Sequence, residues 1–140
     1  MKWKLLCEGL ENPAGIDTPT PELSWYGPEE GIGQTACRIR LWKKGIPSWD
    51  SGWLDTADSR YHLEEKCGYS WQVTVKKGNG EEESSEEAAF STGIFEGGRW
   101  DASFITGGTL LRKEVEIDGD IASAFLSFTG LGYCEAYVNG

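Results

Sequence analysis

Tyr69-Ser70-Trp71-Gln72-Val73-Thr74-Val75-Lys76 places Tyr, Trp, Val and Val at every second position, with Ser, Gln, Thr and Lys between them. Side chains on an extended chain point alternately to opposite faces, so this period of two predicts a strand with one buried and one wetted face. A second stretch, residues 34–42, reads the same way. Cys37, Ile39 and Leu41 form its core face, and Arg38, Arg40 and Trp42 alternate with them.

Working outward, shorter strands are predicted at residues 3–7, 23–26, 49–54, 59–63 and 88–92. Turn residues separate them. Asn12-Pro13-Ala14-Gly15-Ile16-Asp17 and the two prolines that follow, Pro19 and Pro21, read as an ordered loop or an edge segment, because proline cannot donate to a ladder. Gly45-Ile46-Pro47 ends the second long strand, and Gly78-Asn79-Gly80 is a hairpin signal. Seven short strands at intervals of roughly ten residues are the mark of a β-sandwich. A helix over residues 81–89 is the alternative there, since Glu and Ala favour helices; the turn just before it argues for a hairpin.

The character changes at residues 93–108, which hold Gly97-Gly98 and Gly107-Gly108. We place a domain boundary near residues 93–98. Strands are predicted at 109–117, 121–128 and 133–138, with Asp118-Gly119-Asp120 as a turn and Asn139-Gly140 as the opening of another. Three strands rarely bury enough surface to stand alone and leave unpaired edges. The expectation is therefore a first domain over 1–93, then a linker and the first strands of an incomplete second β-domain over 94–140.

The formal net charge of -10 is spread over both parts, without a basic cluster. Such a surface repels phosphate backbones and anionic lipid, so neither nucleic acid nor membrane is expected as a partner. No stretch approaches the ~20 apolar residues of a membrane span. Leu5 and Leu6 are cut off by Glu8, too short a run for a secretion signal. The chain is accordingly read as cytoplasmic. Cys7, Cys37, Cys67 and Cys134 are spaced about thirty apart, which suits thiols in or near the core rather than a zinc site. A disulfide framework would need a secreted chain.

Several residues invite a chemical reading. Asp50 and Asp55 flank Trp53, as a small carboxylate pair would. Asp50 before Ser51-Gly52 fits a turn acceptor better. The acidic run 81–87 lacks the spaced Asp, Asn and Gly of a calcium loop and reads as a solvated, self-repelling loop. His62 has no nucleophile and orienting group at a recognisable spacing. Trp25 and Trp71 lie on core-facing patterns. Trp42, Trp49, Trp53 and Trp100 either stack on sugar faces or pack against neighbouring domains, and the interface reading is adopted. No catalytic residue, metal ligand or cofactor is expected, and no substrate-binding residue is assigned.

Six motifs in order resemble the N-terminal region of bacterial α-L-rhamnosidases of glycoside hydrolase family 78. They are Asn12-Pro13-Ala14-Gly15-Ile16-Asp17 with Pro21-Glu22-Leu23-Ser24-Trp25, residues 34–40, Trp49-Asp50-Ser51-Gly52, residues 69–75, Phe90-Ser91-Thr92-Gly93 with residues 100–105, and Leu111-Arg112-Lys113 with residues 130–140. The chain departs from the family's usual pattern at Ala14 (leucine), Glu22 (arginine), and Cys37 and Cys134 (tyrosine).

The resemblance implies a fibronectin-III/immunoglobulin-like β-sandwich followed by a truncated, jelly-roll-like β-sandwich segment. It also implies a parent enzyme that removes terminal α-L-rhamnose from glycosides by inversion. Its acid and base carboxyls, roughly 6.5–9.5 Å apart, would lie in a helical barrel that this stretch does not contain. The partners implied are the remaining domains of the same chain and, in the catalytic domain, a rhamnosyl glycoside. An independent fibronectin-III-like module that binds carbohydrate or protein is the alternative.

Overall fold

The computed structural model describes residues 2–27, 33–55, 61–122 and 124–140. It divides into two compact units, Met1–Arg99 and Trp100–Gly140.

The first unit is all β, built from β1 (Lys4–Cys7), β2 (Leu23–Tyr26), β3 (Gln34–Lys43), β4 (Ile46–Asp50), β5 (Gly68–Lys77), β6 (Glu82–Ser84) and β7 (Ala88–Ser91). β1 and β2 form a two-stranded sheet. In the larger sheet β3 lies between β4 and β5, and both β6 and β7 pair with the far edge of β5. All these pairings are antiparallel.

The two long alternating stretches are the partners at the centre. Ile39 opposes Val73, and Leu41 opposes Trp71. All four are buried among residues of both sheets, including Leu5, Cys7, Leu23 and Phe90. Full burial of side chains of this size contributes about 1.5–3 kcal/mol each. On the other face, Arg38, Arg40 and Trp42 oppose Thr74, Gln72 and Ser70.

β4 begins earlier than residue 49. Lys44 and Gly45 both have positive φ, 50° and 77°, and join Lys43 directly to its partner Ile46. Two consecutive left-handed residues match the twist of a tight hairpin. Pro47 is tolerated because β4 is an edge strand.

The acidic run is a strand in part, neither a helix nor wholly a solvated loop. Thr74 to Lys76 pair with Glu82 to Ser84. Ser85 is buried and fills the step between β6 and β7: its N–H donates to the Val73 carbonyl at 2.9 Å, and its hydroxyl accepts the Val73 N–H at 3.2 Å.

Of the strand expected at 59–63, residues 59 and 60 lie outside the described ones. Tyr61 and Leu63 are buried but not in a strand. Leu63 instead donates its N–H to the Pro19 carbonyl at 3.0 Å, and the Tyr61 hydroxyl donates to the Pro21 carbonyl. The proline-rich loop does lie along an edge. Ser91 donates to the Pro13 carbonyl, Ile16 to Ser91 and Gly93 to Ile16, at 2.7–3.0 Å, so residues 12–17 cover β7.

The second unit has no strand among its described residues, which include all of 109–117 and 133–138 and, of 121–128, all but Ser123. Leu110, Val115, Ile117, Ile121, Phe128 and Tyr133 are all exposed. Strands hold when their backbone groups are paired and one face is covered, and these residues have no such cover.

Candidate functional site

Asp50, at the end of β4, faces Arg38 of β3. The guanidinium meets both carboxylate oxygens, Nε to Oδ1 at 2.9 Å and Nη2 to Oδ2 at 2.6 Å. Gly52 donates its N–H to Oδ1 at 2.9 Å, the turn-acceptor role read from Asp50-Ser51-Gly52. The Arg38 hydrogen bonds, then the Gly52 N–H, hold the Asp50 carboxyl down at about 2. A general acid must carry its proton near neutral pH, so Asp50 is unsuited to that task. Asp55 is exposed.

The tryptophans separate by position. Trp71 is a core residue, 1% exposed. Trp25 is not a full core residue; it is half-buried at the core margin, and its indole N–H donates to Gln34 Oε1 at 3.1 Å. Trp49 packs on the core with its ring 5.2 Å from that of Tyr61. The Arg40 guanidinium lies 5.8 Å from the Trp42 ring and the Lys76 ammonium 5.9 Å from the Trp53 ring, where cation and quadrupole attract. Trp53 and Trp100 are exposed, as is His62.

Sequence reasoning missed one concave feature, a cleft at one end of the sandwich. Trp3, Trp25, Gly27, Gln34, Val75, Lys77 and Glu83 line a cavity of about 90 Å³. Lys77 and Glu83 pair across it at 2.9 Å. That contact, helped by an indole hydrogen bond from Trp3, holds the Glu83 carboxyl low. The cavity is small beside the roughly 300–1,000 Å³ of pockets that enclose drug-sized ligands. It has room for ordered water, not for an enclosed sugar ring. No signal marked it in the sequence, because its lining comes from five separated segments.

Cys7, Cys37 and Cys67 are buried thiols. Burial pushes the Cys7 thiol up to about 12 and also raises that of Cys37, so neither supplies thiolate at neutral pH. Cys134 differs from the expectation and is exposed. No group of three metal-ligating side chains is gathered among the described residues.

The architecture defines the class. Two antiparallel sheets share one core. The Tyr69 hydroxyl, at the start of β5, accepts the Glu64 N–H five residues upstream, which is the tyrosine corner of immunoglobulin-like sandwiches. The chain belongs to the family of Rha78A-like, N-terminal immunoglobulin domains, whose model matches residues 3–96. It is 24% identical over 183 aligned positions to an alpha-L-rhamnosidase of Formosa agariphila, covering 98% of this chain and 19% of that protein. Thus the chain spans about a fifth of that curated relative's length. Among solved structures it resembles the Streptomyces avermitilis alpha-L-rhamnosidase complexed with L-rhamnose, at 27% identity and TM-score 0.56, over 64% of this chain and 10% of that one. It also resembles the alpha-L-rhamnosidase of Dictyoglumus thermophilum, at 26% identity and TM-score 0.56, over 65% and 12%.

Proposed function

We propose that this chain is the non-catalytic N-terminal part of an α-L-rhamnosidase. The parent enzyme would hydrolyse terminal α-L-rhamnose from glycosides, with inversion, in a catalytic domain elsewhere along the chain. The observation that carries this reading is the alignment of nearly the whole chain, second unit included, with the alpha-L-rhamnosidase of Formosa agariphila. The uncovered apolar side chains of the second unit support a further point. Residues 100–140 belong to a β-domain that forms its strands only when paired with further chain. The sandwich's partners are then the other domains of its own chain, and the rhamnosyl glycoside binds in the catalytic one. We assign the protein to the cytoplasm, which its buried thiols suit.

Reading the source DNA past codon 140 tests the proposal. It expects an open frame that continues through further β-strands into a long helical region with paired carboxylates. A stop codon directly after Gly140 would overturn it.

A further inference from the structure

The segment that leaves the sandwich is tied down residue by residue. Thr92 is fully buried; its N–H donates to the Cys67 carbonyl at 2.9 Å, and its hydroxyl donates to the Glu64 carbonyl at 2.6 Å and accepts the Cys67 N–H at 3.0 Å. The Gly93 carbonyl accepts the Lys66 N–H at 3.1 Å. Phe95 packs against the core, and its N–H donates to Glu65 Oε1 at 2.8 Å. Glu96 donates to the Asp17 carbonyl at 2.8 Å, and Gly98 closes a turn onto the Phe95 carbonyl at 2.8 Å. Gly97, the third residue of that turn, has φ 80°, which type II turns require there. A Cβ on Gly98 would lie 2.7 Å from Ile94 Cγ2 and 2.8 Å from both Glu65 Oε1 and the Phe95 carbonyl oxygen.

A flexible linker would show few of these ties. Here the glycines serve a closed turn, and a carboxylate from the 63–67 corner holds its first N–H.

We propose that residues 92–98 form a rigid joint that fixes the direction in which the chain leaves the sandwich, with Glu65 and Gly98 as its positioning residues. The inference rests on the reading above that a larger enzyme follows.

Amide hydrogen exchange on the 140-residue chain, read by NMR, tests the joint. Amides in fixed hydrogen bonds exchange far more slowly than coil, so Phe95, Glu96 and Gly98 should be protected about 100-fold or more. Glu65→Ala removes the acceptor at an exposed position and should speed exchange at Phe95 by about tenfold, with Val73 and Ile39 unchanged. Glu65→Gln keeps an acceptor oxygen and should restore most of the protection. Gly98→Ala should loosen the same amides. Coil-like exchange at Phe95 and Glu96 in the unmodified chain, or no response to Glu65→Ala, would overturn the proposal. These rates are the same whatever enzyme follows, so failure of the joint and failure of the rhamnosidase reading are separate results.

Discussion

The Tyr69 hydroxyl accepts the Glu64 backbone N–H at 2.9 Å, joining the start of β5 to the corner that precedes it. The ring of Tyr69 stacks on Phe90 of β7, centroids 5.5 Å apart. One side chain thus ties a corner, the central strand and the last strand together. Tyr69→Phe keeps the stack and leaves the Glu64 N–H without its acceptor. It should destabilise the sandwich by about 1–2 kcal/mol in chemical denaturation, with the denaturant slope unchanged.

Lys44 is the weaker half of the β3–β4 turn. A side chain at φ 50° is strained for lysine and easily tolerated by asparagine. Lys44→Asn creates the Asn-Gly pair that such turns favour and should stabilise the domain by about 0.5–1 kcal/mol, seen as a rise in Tm.

Gly93 meets Gly15 where the proline-rich loop crosses the last strand. A Cβ at Gly93 would stand 3.1 Å from the Gly15 carbonyl oxygen, a backbone atom that cannot swing aside. Gly93→Ala should cost about 1–3 kcal/mol by equilibrium unfolding, as overpacking does.

Acid should weaken the sandwich through Asp50. Its carboxyl titrates at about 2 in the fold against an ordinary 3.8, because Arg38 and the Gly52 N–H prefer it ionised. The unfolded chain takes up that proton first as pH falls. The stabilisation is therefore complete above pH ~4 and is lost between about 4 and 2. The pair is about two-fifths exposed, so the loss is about 1 kcal/mol rather than the full value of the shift. Asp50→Asn should flatten this part of the stability–pH curve while leaving the rest unchanged.

How much of this was legible in the sequence depended on whether the pattern was local. β3 and β5 are ten residues each, and both stand where Cys37–Ile39–Leu41 and Tyr69–Trp71–Val73 predict them, although Thr74, on the face expected to be wet, is buried as well. β6 was hidden. Glu82 and Glu83 look like solvated charge, but in an outer strand bonded to Thr74–Lys76 Glu82 stays exposed, and the half-buried Glu83 pairs with Lys77. Tyr61 and Leu63 alternate with His62 as a strand would, yet the Leu63 N–H finds a loop carbonyl at Pro19, a long-range partner that no window reveals. Trp25 shares the period of a core residue but lies at the end of the sandwich, where the core stops. The cleft beside it and the joint at 92–98 are both assembled from distant segments, and neither leaves a mark on any one of them.

In the function proposed above, residues 1–140 serve an α-L-rhamnosidase without performing its chemistry. The most direct test is hydrolysis of a chromogenic α-L-rhamnoside by the product of the complete reading frame and, in parallel, by residues 1–140 alone. Turnover is expected from the complete product and none from the 140-residue chain. Turnover by residues 1–140 alone, or a complete product that cleaves no rhamnoside, would contradict it.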